Sequence, residues 1–298
     1  MIVAGLLLVL IGSADIARAA LAPHSSRAAA LGVFAVVGAG WALVSVLAAT
    51  GLGVPVAWLG LLLVLAVGWL VTTARDAGAR PPGSPAVTPS RHPRLRILPA
   101  VVVILVIGAS FFWNPVGGGL HGYLVDGLAQ APVRPLAALP VETVMLAVGL
   151  ALFLVESANI VVRAALRPAI EPQDAMVDIV AAGDGDGRVE VETTGLLGSR
   201  TRVVVRDGAA SADPPAVQDL RGGRLIGPLE RLLIVALSLA GALPIVAGLL
   251  AAKGIVRFPE ISNDRARGSK AEYFLVGSLV SWALALLAAG TLWISAQH

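Results

Sequence analysis

The sequence predicts an all-α multi-pass transmembrane helical bundle with a small cytoplasmic insert that reads as a three-stranded β meander. Three observations carry this prediction. Apolar residues make up 57% of the 298 and charged residues only 14%, with a mean hydropathy of +0.84, too little charge to cover a water-facing surface. The apolar residues are gathered into long blocks, close to the roughly 20 residues a helix needs to cross hydrocarbon. The one substantial polar stretch, 168–222, contains runs that alternate as strands do.

The elements follow in order. Residues 1–14 are apolar, and a helix continuing to about Ala22 places Asp15 and Arg18 near an interface, where Arg18 can snorkel. This start lacks the positive leading region of a signal peptide, so it reads as a retained first segment. Residues 28–50 and 54–71 form the second and third segments, antiparallel neighbours across a short turn marked by Gly51, Gly53 and Pro55. These close the first region, 1–73. Residues 74–97 are a basic, Pro- and Ser-bearing linker with no apolar period.

Region 98–167 holds segments four (98–115) and five (140–162). Phe111, Phe112 and Trp113 end the fourth, as interface anchors do. Between the two, HGYLVDGLAQ suits a short surface-lying helix. Polar segment 168–222 follows, with MVDIVAA, RVEVETT and TRVVVRDG as the candidate strands; an unstructured segment is the alternative reading. GDGDG is a turn rather than a calcium loop, because the later ligands are missing. Region 223–298 contains the sixth block, 229–252, with Gly241 and Pro244 at its centre, and the seventh, 273–294.

Arginine placement orients these segments. Five arginines put 74–97 in the cytoplasm and the N-terminus outside; Arg163, Arg167, Arg221 and Arg224 put the polar segment inside. The sixth block then poses a conflict. A full crossing sends Lys253, Arg257, Arg265, Arg267 and Lys270 outside, against the rule. A re-entrant element broken around GALP keeps them inside. Both readings stand at this level.

Composition excludes several chemistries. With no cysteine there are no disulfides, thiol nucleophiles or thiolate metal sites. Four scattered histidines do not make a metal site, and no metal or cofactor is expected. The net charge of +3 is mostly arginine flanking apolar blocks, which suits membrane lipids with anionic headgroups and not nucleic acid. Ser157 lacks a GxSxG context and no P-loop spacing occurs, so no catalytic residues are assigned and an enzyme is not expected. High Ala, Gly, Val and Arg usage fits a GC-rich bacterial gene and hence the bacterial inner membrane.

Polar residues instead collect in the second half. Glu156, Asn159 and Arg163 are spaced by three and four on one helix face, with Glu156 deep in segment five. In RGGRLIGPLERLL, Pro228 suits a first helical turn whose free N–H groups, with Arg221, Arg224, Gly227 and Arg231, could receive an anion or a lipid headgroup. Glu230, Lys253, Arg257, Glu272 and Tyr273 complete a candidate polar membrane site between segments five, six and seven. Snorkelling and anchoring are the alternative role for these charges.

GGRLIGPLERLLI, AAKGIVRF and AEYFLVGSLVS, with ESANIVVRAAL less securely, resemble a family of uncharacterised bacterial multi-pass membrane proteins over about a quarter of the chain. The resemblance implies importance for Gly227, Glu230, Arg231, Lys253, Arg257, Glu272 and Tyr273, and implies a role for none. The functional expectation is a small transporter, channel or permease using the polar site. The alternative is a structural, sensory or accessory membrane protein. Gly38, Gly40, Ala48 and Gly51 could allow close helix packing, within the chain or in a homo-oligomer.

Overall fold

The computed structural model describes residues 1–21, 27–74, 98–112, 116, 119–133, 137–166, 188–194, 200–206, 223–263 and 269–297. Its helices are α1 (Ile2–Leu21), α2 (Arg27–Gly51), α3 (Val56–Ala74), α4 (Leu98–Phe112) and the short α5 (Tyr123–Ala129). Then come α6 (Val141–Leu166), α7 (Gly223–Leu239), α8 (Leu243–Asn263) and α9 (Ser269–Ser295). Among the described residues, five stretches are long and apolar enough to cross a membrane, in α1, α2, α3, α6 and α9. The apolar parts of α4 and α8 are shorter. This is the helical architecture of an integral membrane protein.

α1 is the central post. Of its apolar stretch 72% is enclosed, against at most 39% in any other span. It runs beside α6 in the same direction, Gly5 meeting Leu146 and Gly12 meeting Leu152. The contact is backbone on backbone: a Cβ on Gly149 would stand 2.5 Å from the Gly5 carbonyl oxygen. Lipid is as apolar as leucine, so helices in a bilayer associate through such close packing rather than by hydrophobic transfer. The glycines that do this are Gly5, Gly12 and Gly149, not Gly38 and Gly40, which meet nothing within 4 Å. Ala48 is buried, and Gly51 packs on Leu124 and Tyr123 of α5, the short helix expected in HGYLVDGLAQ.

Helix directions follow from contacts at the two ends. Thr143 Oγ1 donates to the Ser295 carbonyl at 3.0 Å, and Leu166 lies against Gly277, so α9 runs antiparallel to α6. The Met1 amine meets the Ser110 carbonyl, placing the start of α1 beside the end of α4. The Trp41 indole donates to the Leu10 carbonyl at 2.8 Å and ties α2 to α1.

Residues 229–252 are not one continuous helix. The chain turns between α7 and α8 with Gly241 at φ +73°, a left-handed conformation that glycine adopts without strain. Pro244 sits three residues later, in the first turn of α8, where its missing N–H costs nothing. The arms fold back on each other: Ile234 packs with Val246, and Lys253 reaches Glu230.

Within the polar segment the described residues form one antiparallel hairpin, β1 (Arg188–Thr194) with β2 (Arg200–Arg206), Val191 opposite Val203. The first strand expected, MVDIVAA, lies outside the described residues, so a three-stranded meander is not established.

Candidate functional site

The polar site is assembled where α7 packs against the middle of α6. There α6 departs from ordinary helix: Phe153–Ser157 forms a π turn. A π turn inserts an extra residue, widens the helix and loosens its carbonyl pairing, and such turns concentrate at functional positions. The Asn159 side-chain amide donates to the Val155 carbonyl at 3.2 Å and to Glu156 Oε2 at 3.4 Å. These contacts steer its oxygen toward α7, where it accepts from the Arg231 guanidinium.

Arg231 is 1% exposed, the largest fully buried side chain described. Its charge is met by a neutral amide and by the fields of two carboxylates, Glu156 and Glu230. Its Nε–H has no hydrogen-bond partner among the described residues. A buried unmade hydrogen bond of this kind costs about 1–3 kcal/mol. Ser157 Oγ and Ser238 Oγ are likewise buried without a partner among those residues. Gly227, one turn before Arg231, leaves room for this arrangement: a Cβ there would lie 3.5 Å from the guanidinium and 3.9 Å from the Asn159 oxygen.

A second pair closes the hairpin. Lys253 Nζ lies 2.5 Å from Glu230 Oε2, and the Trp282 indole donates to Glu230 Oε1 at 2.8 Å. The ammonium also stands 5.7 Å from the centre of the Trp282 ring, within cation–π range. Both carboxylate oxygens of Glu230 are therefore engaged.

Of the residues the sequence singles out, the structure brings together Glu156, Asn159, Gly227, Glu230, Arg231 and Lys253. Arg163 does not join; its side chain is exposed a further turn along α6. Arg221 and the side chains of Arg224, Arg257, Glu272 and Tyr273 lie outside the described residues. Pro228 is not in a first turn, because α7 begins at Gly223 and carries Pro228 in its interior. The helix N-terminus is therefore displaced from the Gly227–Pro228 position that an anion site at that turn requires. Without a Pro228 N–H, the Arg224 carbonyl lacks its usual helical donor.

Two features escape sequence reasoning. Trp282, within the seventh apolar block, acts as a donor to Glu230. Asp15 reads as interfacial, yet it is 1% exposed and accepts from Trp69 Nε1 at 2.9 Å and from Arg18. Arg18 also donates to Thr73 Oγ1 at 2.9 Å. The only local signal was a carboxylate and an arginine three apart inside an apolar helix. Among the described residues no cluster of His, Asp and Glu could hold a metal ion.

No protein-family model, curated protein or solved structure matches this chain.

Proposed function

We propose that this membrane protein translocates a small solute, using the polar site between α6, the α7–α8 hairpin and α9. The observation that carries the reading is Arg231, buried at 1% exposure with donor capacity unused among the described residues. Holding a charge away from water costs several kcal/mol even after relaxation, and ionisable groups among membrane helices mark solute and proton paths. The π turn and the broken sixth element add to the reading, because transporters place their sites at such interruptions.

The same reading orients the chain. With 74–97 on the cytoplasmic side of a bacterial inner membrane, α1 starts outside and α9 ends outside, beside the start of α6. The α7–α8 hairpin enters from the cytoplasm and returns to it, which keeps the basic residues of 253–272 inside as charge placement demands. Anionic lipid headgroups are the partners proposed for the basic stretch 221–224. The ordered motifs of the C-terminal quarter support kinship with the uncharacterised multi-pass family named above.

One observation favours a second reading, a structural or accessory protein. Glu230 is fully engaged by Lys253 and Trp282, as in a clamp that only holds helices. Reconstitution separates the two. Purified protein in liposomes, screened over small ions with pH-dye and electrical readouts, is expected to conduct or exchange at least one. Arg231→Gln should abolish the flux while the protein still folds. Absence of flux for every solute, with folded wild-type protein, supports the clamp.

A further inference from the structure

We infer that α8 is a hinged arm that swings away from α7 and α9 about Gly241, and that the contact of Lys253 with Glu230 and Trp282 is the latch that holds it closed. The inference goes beyond the translocation reading, because it concerns a movement of the fold whatever the site carries.

The first step is how α8 is packed. Over Leu243–Val256 only Val246 is buried, with Leu249, Leu250 and Lys253 half-buried. Spaced by three and four, these four lie on one face. The other side chains of that stretch are exposed, Ile255 and Val256 at 73% each, and Gly248 and Gly254 have open space beside them. α8 therefore meets its neighbours along one narrow line, against Ile234 of α7 and Ala285 and Trp282 of α9. In a bilayer, lipid chains can replace those apolar contacts at little cost. Apolar packing alone holds the arm weakly.

The second step is the hinge. Two residues, Gly241 and Ala242, join the helices. The Gly241 and Ala242 amides close the end of α7 by donating to the Ser238 and Leu237 carbonyls at 3.1 and 2.9 Å. The Ala242 carbonyl opens α8 by accepting from Ile245 and Val246 at 3.0 and 3.2 Å. The change of direction thus rests on the dihedrals of two residues at element ends, as hinges do, and glycine has the widest choice of them. At the far end of α8, residues 264–268 lead to α9. Five residues reach up to about 20 Å, so the covalent chain leaves the arm room to move.

The third step is the latch. Glu230 stands eleven positions before Gly241 and Lys253 twelve after it, so the pair lies roughly 17 Å from the hinge along the arms. There a small rotation gives a large displacement. The side chains are 9% and 29% exposed, which puts the contact at a rim rather than in the core. Pairs with solvent contact hold modestly, so closed and open arrangements lie close in free energy. Release does not strand the carboxylate without a donor, because the Trp282 indole still reaches Glu230. An opened arm uncovers Glu230, the neighbour in sequence of buried Arg231.

The test measures spin-label distances in the full-length protein in nanodiscs. One pair joins Leu31→Cys on α2 to Val256→Cys on α8; the reference pair joins Leu31→Cys to Leu279→Cys on α9. Two distances are expected for the α8 pair and one for the reference. Lys253→Met should raise the ratio of the second distance to the first about fivefold, the upper worth of a partly exposed charge pair. Glu230→Gln should move it the same way, and Lys253→Arg should keep it near wild type. Monodisperse elution and unchanged helicity establish that each variant folds.

A single α8 distance that neither Lys253→Met nor Glu230→Gln changes overturns the proposal. Two distances whose ratio ignores both substitutions overturn the latch. Splitting of the reference pair as well overturns the assignment of the movement to α8. Movement of α8 without solute flux leaves this inference standing and defeats the translocation reading; flux without movement does the reverse.

Discussion

Lys253 and Glu230, nearly equidistant in sequence from Gly241 on opposite arms of a hairpin, meet at 2.5 Å. Such a contact requires the arms to fold back on one another, so it decides the path of the chain through this region. It also engages the carboxylate that neighbours the buried Arg231.

Breaking this pair from either side leaves a partly buried charge. Glu230→Gln or Lys253→Met should destabilise the protein by about 1–3 kcal/mol, below the figure for a fully buried pair because the lysine keeps some solvent contact. The combined variant, Glu230→Gln with Lys253→Met, should recover part of the loss. Unfolding of the four proteins in mild detergent, analysed as a double-mutant cycle, measures the coupling. Strict additivity would sink the clamp.

The glycine contacts make a contrast within one residue type. Gly149→Ala puts a Cβ 2.5 Å from a backbone oxygen of α1, where no flexible side chain can yield. About 1–3 kcal/mol or more of destabilisation is expected from overpacking. Gly38→Ala and Gly40→Ala meet open space and should be neutral or slightly stabilising through helix propensity. Thermal unfolding of the three variants checks the order.

At the opposite end of α1 from Met1, Asp15→Asn should cost about 3–5 kcal/mol, because it removes the carboxylate that balances Arg18 and receives the Trp69 indole. Replacing both charges, Asp15→Leu with Arg18→Met, should be milder than the single change. Expression level and unfolding midpoint report the difference; a double variant worse than the single one would show that the pair stabilises beyond mutual compensation.

Hairpin topology is open to direct labelling, since the chain has no cysteine of its own. A single cysteine at position 262 should react with a membrane-impermeant thiol reagent from the cytoplasmic side. One at position 297 should react only from the opposite side. Reaction of both from the same side would overturn the return of α8 to the cytoplasm.

Length and hydropathy alone determined that this chain belongs in a membrane, and they placed nearly every apolar helix. Bilayer insertion depends on the summed transfer of about 20 neighbouring residues, a local quantity readable along the chain. Most of the polar site was legible for a related reason. Glu156, Glu230, Arg231 and Lys253 are conspicuous where charge is costly, so their mere position marks them. Tertiary structure decided what those charges do. No local pattern reveals that α6 takes a π turn, that Asn159 links Glu156 to Arg231, or that Trp282 and Trp69 donate to carboxylates. Nor does composition choose which glycines pack: Gly5, Gly12 and Gly149 matter because α1 threads the middle of the bundle, while Gly38 and Gly40 face away from their neighbours. The sixth element shows the division most plainly. Its glycine and proline announced a break, but only the pairing of Lys253 with Glu230 across that break settled that the arms run side by side, because direction depends on contacts between residues far apart in the chain.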